Sequence, residues 1–341
     1  MTERLADHTT LGVGGPAREF IRCVTEADLV DLVRARDAAG TPVLVLGGGS
    51  NVLVADDGFD GTVVQVAVAG VSDIVERERV IVTAGAGEAW DDLVAFTVSR
   101  GWAGLEALSF IPGTVGATPV QNVGAYGQEV ASTIVNVRVL DRRQGMVRDL
   151  TPAECAFAYR SSVFKHEPGR WVVLAVSFAL ALDPWSIVRY EQLAAALDTE
   201  VGAAVTAQSV RDAVGMLRRG KGMVLDEDDP DTRSAGSFFT NPVVDASVAD
   251  ALPTDCPRYA SADGIKLSAA WLIEHAGITR GWQVRPASGA RVSTKHTLAL
   301  TNADGATTAE ILELARAIVS RVQESFGITL QPEPVLVGCT L

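Results

Sequence analysis

The sequence predicts an α+β fold of about two domains, and three observations support this prediction. The chain has 341 residues, of which 48% are hydrophobic, and its 32 glycines and 14 prolines are typical of a globular protein. Short β-branched runs predict strands, whereas apolar residues spaced three and four apart predict amphipathic helices. The two kinds of segment do not alternate strictly, which favours an α+β fold over a doubly wound parallel sheet.

The first half of the chain is predicted to contain two helices among several strands. Thr25 is an N-cap followed by acidic residues, and Gly40 ends the helix that it begins. A second helix runs from Trp90 to Gly101, with apolar residues at helical spacing. Strands are predicted at 43–46, 52–54, 62–68, 80–83, 134–140 and 172–182.

The second half is predicted to be richer in helix. Helices are expected at 186–197, 208–219 and 266–275, and at a segment that Thr308 caps and Gly327 ends, with strands at 297–301 and in the tail 328–337. The acidic run Leu225–Asp231 contains a proline and is the best candidate for an interdomain linker.

Charge and cysteine content exclude several classes of function. A net charge of −13 argues against a general binder of nucleic acid or of anionic membranes. The longest apolar run, Trp171–Leu182, is shorter than the ~20 residues that a membrane helix needs, and the N-terminus lacks a signal pattern. We therefore expect a soluble, cytoplasmic protein. Its cysteines and histidines are scattered, which predicts reduced thiols and no metal site: Cys23, Cys155, Cys256, Cys339, His8, His166, His275 and His296.

A glycine stretch, Gly47-Gly48-Gly49-Ser50-Asn51, interrupts two strand-like runs. Without Cβ atoms, its backbone amides can converge on an anion. A Rossmann loop is excluded, because that loop leads from a strand into a helix. Two interpretations stay open at this point: a phosphate-binding loop between two strands, and a plain glycine-rich hairpin joined by a tight turn.

Two later segments also contain many glycines. The stretch Pro112–Gly127 is long and rich in small residues, which favours a loop that lines a ligand. Residues 215–222 match most of the P-loop pattern GxxxxGK, but Gly222 stands where Ser or Thr must reach Mg²⁺, and the preceding residues are helical. We therefore interpret Arg218, Arg219 and Lys221 as a basic helix end that could also meet an anionic substrate.

Six motifs follow one another from about Thr9 to Gly338: TLGVGGPAR, VLGGGSNVLVADDGFDGTVV, IPGTVGATPVQNVGAYG, YRSSVFK, AGSFFTNP and QPEP. Together they resemble the UDP-N-acetylenolpyruvoylglucosamine reductase family, flavoenzymes of bacterial cell-wall precursor synthesis. The segment Trp185–Leu197 is similar to a feature of the family's longer subgroup. The resemblance implies a two-lobed FAD-binding unit of the vanillyl-alcohol-oxidase type followed by an α+β substrate-binding domain. The implied divisions are 1–72 and 73–226 for the lobes with the linker, 234–326 for the substrate domain, and 327–341 for a tail that returns to the active site.

The implied reaction is the reduction of an enolpyruvyl ether on UDP-N-acetylglucosamine, with NADPH as the hydride donor and FAD as the carrier. Negative charge then develops on the substrate as an enolate, which needs a cation and a proton donor. By motif position, Arg160 would stabilise this charge, Ser237 would deliver the proton, and Glu333 would hydrogen-bond the enolate as a neutral acid. On residue chemistry alone, the three could equally be a surface ion pair, a helix cap and a solvated acid.

The resemblance also implies residues that bind the ligands. FAD, held non-covalently because neither glycine-rich loop contains His or Cys, would contact Gly47, Gly48, Gly49, Ser50, Asn51, Gly113, Thr114, Gly116, Ala117, Thr118, Gln121, Asn122, Gly124 and Ala125. The sugar nucleotide would contact Tyr126, Tyr190, Arg218, Lys221, Asn241 and Lys266, with Tyr190 closing over it. Two departures from the family pattern, the acidic stretch Gly222–Thr232 and Val335, put particular phosphate or carboxylate contacts in doubt.

Two alternatives remain at the level of sequence, alongside the expectation of a monomer that binds neither nucleic acid nor membrane. One is a flavin oxidase on the same fold, which would use O₂ and another substrate. The other is a non-enzymatic module that binds a sugar nucleotide and carries no flavin. Dependence on NADPH separates the reductase from the first, and a flavin spectrum separates it from the second.

Overall fold

A computed structural model describes residues 3–261 and 263–341. Helices and strands occur in similar amounts, and most paired strands are antiparallel, so the predicted α+β class is confirmed. The strands are β1 Ala17–Cys23, β2 Val43–Leu46, β3 Val52–Val54, β4 Phe59–Val66, β5 Val71–Glu76, β6 Arg79–Gly85, β7 Gly124–Ala125, β8 Gln128–Glu129, β9 Ile134–Asp141, β10 Met146–Leu150, β11 Trp171–Ala181, β12 Trp185–Ile187, β13 Ala204–Thr206, β14 Ser234–Ser237, β15 Val243–Val244, β16 Arg258–Ser261, β17 Gly264–Leu267, β18 Ala290–Val292, β19 Ala299–Asn302 and β20 Val335–Val337. The α-helices are α1 Glu26–Ala38, α2 Trp90–Ser99, α3 Pro152–Cys155, α4 Val163–His166, α5 Glu191–Ala196, α6 Ala207–Gly220, α7 Ala246–Asp250, α8 Ala269–His275 and α9 Thr308–Phe326.

The chain divides into two compact units. The first unit comprises Glu3, Ala17–Gly49 and Asp60–Gly220, and the second comprises Arg4–Pro16, Ser50–Phe59 and Lys221–Leu341. The chain passes from the first unit to the second inside the glycine stretch, between Gly49 and Ser50.

The first unit is built on two sheets. Strands β10-β9-β11-β6-β5 form an antiparallel sheet in that order, and β1-β4-β2 form a smaller one in which β2 and β4 run parallel. The apolar run of Trp171–Ala181 is the central strand of the larger sheet, which explains why nearly all of its side chains are at least partly buried. Helix α1 begins at Thr25, whose side chain accepts the Asp28 amide, as predicted.

The second unit packs helices on small antiparallel sheets. Its sheets are β14-β19-β18 and β15-β17-β16, and a parallel pair joins β3 to β20. Helix α9 buries Ile311, Leu314, Ile318 and Val322 in the core of this unit. Gly327 ends the helix in a left-handed conformation, as the sequence predicts.

Two predicted helix starts were wrong, because a neighbouring residue caps the helix instead. The cap of α9 is Thr307 rather than Thr308, since Thr307 forms a capping box with Glu310. Lys266 does not open a helix: it lies in strand β17, and Ser268 caps the helix that follows.

Two longer-range predictions also need correction. Residues 186–197 are not one helix, because Trp185–Ile187 pair with Ala204–Thr206 as a strand before α5 begins at Glu191. The acidic run 225–231 does not divide the units, because the division falls earlier, after Gly220. Residues 225–228 are exposed, but Asp231 is buried and accepts hydrogen bonds from Thr294. Residues 215–220 lie in α6, as expected when the P-loop interpretation was excluded.

Candidate functional site

The glycine stretch is a loop between two strands that do not pair with each other. Strand β2 pairs with β4, and β3 pairs with β20, so the hairpin interpretation is wrong and the order strand–loop–strand is confirmed, whereas phosphate binding by the loop stays a prediction. Both pairings are parallel, and each partner strand lies elsewhere in the chain.

Within the first unit, the glycines lie directly against the long loop 112–127. A Cβ on Gly47 would come within 2.6 Å of the Thr114 Oγ1, and a Cβ on Gly48 within 2.9 Å of the Gly113 Cα. The loop is in turn fixed to the start of α2, because the Trp90 amide donates to the Gly113 carbonyl (3.1 Å). Only glycine permits this approach of two backbones.

The amides of this stretch are available to a ligand. Among residues 3–261 and 263–341, the backbone N–H groups of Gly48, Gly49 and Ser50 donate no hydrogen bond to another backbone group outside regular strands and helices. Backbone N–H groups without a backbone acceptor suit an anionic pyrophosphate, so these residues fit the phosphate part of a dinucleotide.

The rest of the long loop is held by its own hydrogen bonds. Thr118 donates its hydroxyl to the Val115 carbonyl, and the buried Asn122 side chain donates to Glu129 (2.8 Å) and to the Ala158 carbonyl (3.1 Å). Asn122 is therefore engaged in shaping the loop, with a left-handed φ of 47°. Gly116, Ala117, Gln121, Gly124 and Ala125 lie along the same loop.

Arg160 lies at the tip of a tight turn next to the end of this loop. The backbone groups of Ala158 and Ser161 hydrogen-bond in both directions, and Arg160 between them has a left-handed φ of 50°. Its Nη2 donates to the Gly124 carbonyl (2.6 Å). Lys165 braces the turn by donating its Nζ to the Arg160 carbonyl (3.2 Å). A strained backbone that the surroundings stabilise in this way is common at functional sites.

Tyr126, Tyr190 and Arg218 form a second group in the first unit. The two tyrosine rings meet edge to face with centroids 5.9 Å apart, and Tyr190 is half exposed at the start of α5. Burial raises the pKa of Tyr126 and lowers the pKa of Arg218, and each group partly offsets the other's shift. The Arg218 Nε donates to the Phe110 carbonyl (3.1 Å). Arg218 is thus a buried cation rather than the solvated helix end that its position suggests.

In the second unit, Ser237 and Glu333 are brought close by backbone hydrogen bonds. The Glu333 amide donates to the carbonyl of Phe238, the residue after Ser237 (2.8 Å), and Phe239 pairs with Pro332. Phe238 and Phe239 are fully buried, whereas Ser237 and Glu333 are each half-buried. Two segments almost a hundred residues apart, one with the Ser237 hydroxyl and one with the Glu333 carboxyl group, are therefore joined through their backbones.

Asn51 belongs to the same group. Its Nδ2 donates to the Glu333 carbonyl (3.4 Å), and its own carbonyl accepts the Val335 amide (2.9 Å). The second half of the glycine stretch is thus tied to the segment that carries Glu333.

The other predicted substrate residues of the second unit lie on separate elements. The Asn241 Oδ1 accepts the Ala269 amide at the start of α8 (2.9 Å), and Lys266 lies over the Tyr259 ring with its Nζ 5.8 Å from the centroid. Lys221 is the first residue of the longest segment of this unit, Lys221–Leu341.

Sequence reasoning missed several residues around these groups. Glu106, Gln128, Lys165 and Ser186 all hold segments that carry a predicted site residue. The one signal for them is Glu106, an acid in an otherwise apolar run. Within the described residues, no three His, Cys, Asp or Glu side chains lie close enough to hold a metal ion. No helix in that same part of the chain is long and apolar enough to span a bilayer.

Comparison with known families defines the class of protein. Residues 17–151 match a family model described as an FAD binding domain, which covers the glycine stretch and the long loop. Residues 228–337 match the model of the UDP-N-acetylenolpyruvoylglucosamine reductase C-terminal domain, which covers Ser237 and Glu333. An FAD-binding domain joined to this reductase domain defines an FAD-dependent oxidoreductase.

Full-length relatives then give the family. The chain is 54% identical to the UDP-N-acetylenolpyruvoylglucosamine reductase of Nocardia farcinica, over 99% of this chain and 89% of the relative. It is 51% identical to the reductase of the same name from Thermobifida fusca, over 99% and 97% of the two chains. The crystal structure of the corresponding reductase from Thermus caldophilus matches with a TM-score of 0.66 at 26% identity, over 99% of each chain. This chain belongs to the UDP-N-acetylenolpyruvoylglucosamine reductase family.

Proposed function

We propose that the protein reduces UDP-N-acetylenolpyruvoylglucosamine to UDP-N-acetylmuramate, a step of peptidoglycan precursor synthesis, with NADPH as the reductant and FAD as a non-covalent cofactor. The family membership supports the activity. The observation that supports the residue assignment best is the Phe238–Glu333 backbone hydrogen bond, because it joins the segments that carry Ser237 and Glu333 in two distant motifs.

The loop geometry supports the cofactor assignment. Gly47, Gly48 and Gly49 would face the pyrophosphate with their amides, and Gly113 and Thr114 form the opposite wall. The remaining predicted contacts are Ser50, Asn51 and the loop residues from Gly116 to Ala125. When bound, FAD supplies a two-electron carrier that accepts hydride from a nicotinamide and returns it to a polarised double bond. Neither loop contains His or Cys, which supports non-covalent binding.

The residues of the chain would handle the charge and the proton. Arg160 offers a permanently charged, planar group that suits a carboxylate or enolate. The Ser237 hydroxyl would donate its proton to the carbon adjacent to the new C–H bond, which requires a strongly basic intermediate because a serine hydroxyl is a weak acid. The Glu333 carboxyl group would hydrogen-bond the enolate. The buried rings of Phe238 and Phe239 would keep water from the Ser237 hydroxyl.

Tyr126, Tyr190 and Arg218 would bind the sugar nucleotide. A buried arginine near Tyr126 suits a phosphate group, since the cation is already desolvated and is held by the Phe110 carbonyl. Lys221, Asn241 and Lys266 are further substrate contacts in this proposal. We also propose a cytoplasmic monomer; the four free cysteines support a reducing compartment.

An anaerobic spectroscopic experiment tests the proposal. The purified protein should show a flavin absorption band that NADPH bleaches and the enolpyruvyl sugar nucleotide restores. A band that returns only with O₂ would support the flavin oxidase alternative. A protein that stays colourless after incubation with FAD would favour the non-enzymatic binding module. A parallel titration with NADH measures the nicotinamide preference, and gel filtration measures the oligomeric state.

Ser237→Ala should separate the two half-reactions. We expect normal bleaching by NADPH and a loss of reoxidation by the sugar nucleotide of at least ~100-fold, because the proton is needed only in the second half-reaction. Ser320→Ala, which removes an exposed hydroxyl on α9, is the matched control. Equal impairment of both half-reactions would exclude Ser237 as the proton donor.

Glu333→Gln should lose less activity than Glu333→Ala, because an amide still donates a hydrogen bond, whereas equal losses would favour a true acid role.

A further inference from the structure

We propose that Glu106 is a positioning residue that fixes the two tyrosine-bearing segments relative to each other, and so sets affinity for the sugar nucleotide. The inference rests on the proposed function. Glu106 lies in a short 3₁₀ turn and is 2% exposed. Its carboxylate accepts hydrogen bonds from the Gly104 amide (2.6 Å), the Ser186 hydroxyl and the Gln128 Nε2 (3.5 Å).

The Gln128 and Ser186 side chains each belong to a segment that carries one of the two tyrosines proposed to bind the sugar nucleotide. Gln128 lies two residues after Tyr126 in the β7–β8 hairpin, and its Oε1 also accepts the Ala107 amide (3.0 Å). Ser186 lies in β12, four residues before Tyr190. The carboxylate of Glu106 is therefore a common attachment point for both segments.

The two segments also touch each other at their tips. A Cβ on Gly127 would come within 2.9 Å of the Arg189 Cβ and carbonyl oxygen, and the Tyr126 and Tyr190 rings meet at 5.9 Å. The placement of one tyrosine therefore depends on the placement of the other. Any rotation of the segment from Ser186 to Tyr190 would therefore change the edge-to-face contact between the Tyr126 and Tyr190 rings.

The Ser186 hydrogen bond is one of several contacts that hold its segment: Val188 is 1% exposed, and its backbone exchanges hydrogen bonds with Gly202 and Ala203. Strand β12 itself has three residues and, within the described part of the chain, pairs with β13, which also has three, and Trp185 and Ile187 are about half exposed. A two-stranded pairing of this length is marginal by itself. A hydrogen bond to a buried carboxylate is stronger than one between neutral groups, so the Ser186 hydroxyl ties its segment firmly to Glu106.

Ser186→Ala is the sharpest test, because it removes the attachment and leaves the buried carboxylate two other donors. We expect the Kd of the oxidised protein for UDP-N-acetylmuramate to rise about tenfold, with a similar rise in KM for the enolpyruvyl substrate and a fall in kcat of less than threefold. Ser186→Thr keeps the hydroxyl and should restore both values to within about twofold. Ser177→Ala is the matched control, because it removes a partly buried hydroxyl bond to Thr83 far from either tyrosine in sequence.

A double-mutant cycle shows whether the effect passes through the tyrosine. In a Tyr190→Ala background, Ser186→Ala should change the Kd less than about twofold. A full tenfold effect in that background would overturn the inference, as would a Kd in Ser186→Ala equal to that of the wild type. If the wild-type protein itself fails to bind the sugar nucleotide, the proposed function is overturned and the inference falls with it. Binding by the wild type that Ser186→Ala leaves unchanged would overturn the inference alone.

Discussion

Replacing Gly48 with alanine should weaken FAD binding through a steric effect that the structure defines. The new Cβ would lie 2.9 Å from the Gly113 Cα and 3.3 Å from the Gly113 carbonyl carbon. Carbon atoms prefer separations of about 3.5 Å or more, so the two loops would have to separate by roughly 0.6 Å. The Cβ is attached directly to the Gly48 backbone, and the Gly113 atoms that it meets are backbone atoms. No side-chain rotation can therefore relieve the contact.

Overpacking of this kind typically costs about 1–3 kcal/mol. Because the strain falls on the walls of the proposed pyrophosphate site, we expect much of it in cofactor affinity, a loss of about 10- to 100-fold at ~1.4 kcal/mol per tenfold. The assay is the ratio of flavin to protein absorbance after purification, followed by an FAD titration of the apoprotein.

Two further glycine variants make the prediction specific. Gly220→Ala adds the same methyl group at the end of α6, where nothing lies within 4 Å, so FAD affinity should not change. Gly47→Ala should fall between the two, because its nearest neighbour is the Thr114 hydroxyl, the end of a side chain that can move. FAD binding by Gly48→Ala equal to that by Gly220→Ala would refute the steric argument, and a larger loss for Gly47→Ala would refute the role of the backbone contact.

The remaining predictions concern stability and thiol chemistry. Arg170→Ala should lower the melting temperature by several degrees at pH 7, far more than Arg79→Ala at an exposed ion pair, because the fully buried Asp141 carboxylate loses its nearest cation and keeps only Arg148 at 4.0 Å. Hydrogen bonds from Arg170 hold the pKa of Asp141 below its usual range, so this stabilisation is present at neutral pH and is lost as the pH falls below about 4. A stability difference between the wild type and Arg170→Ala that stays constant down to pH 2 would contradict this prediction. Burial raises the pKa of Cys155 to about 12, and it raises the pKa of the half-buried Cys339 as well. Native protein at pH 8 should therefore react slowly with iodoacetamide at both thiols, and more slowly at the fully buried Cys155, as peptide mapping would show. The Cys155 thiol ionises near pH 9 in the unfolded chain and only near pH 12 in the folded protein. The free energy of unfolding should therefore fall between about pH 9 and pH 12.

Local chemistry determined most of the elements and the family. The Thr25 cap, the apolar run of β11 and the end of α9 at Gly327 all act over a few residues, so the sequence alone predicts them. The six ordered motifs identify the family for a similar reason, because each is a contiguous stretch of sequence. The FAD-binding class follows from them.

Tertiary structure decided which residues meet. The parallel pairing of β3 with β20 excludes the hairpin, and the pairing of Trp185–Ile187 with Ala204–Thr206 replaces the start of a predicted helix with a strand. Similarly, Asp231 is buried because Thr294 and Arg291 donate to it from 60 or more residues away. These outcomes depend on hydrogen-bond partners distant in sequence, and no local pattern of charge or hydrophobicity records which partner a strand or carboxylate will find. For the same reason, the sequence revealed Arg160, Ser237 and Glu333 as motif residues, whereas only the fold revealed that Glu106 joins the segments of Tyr126 and Tyr190.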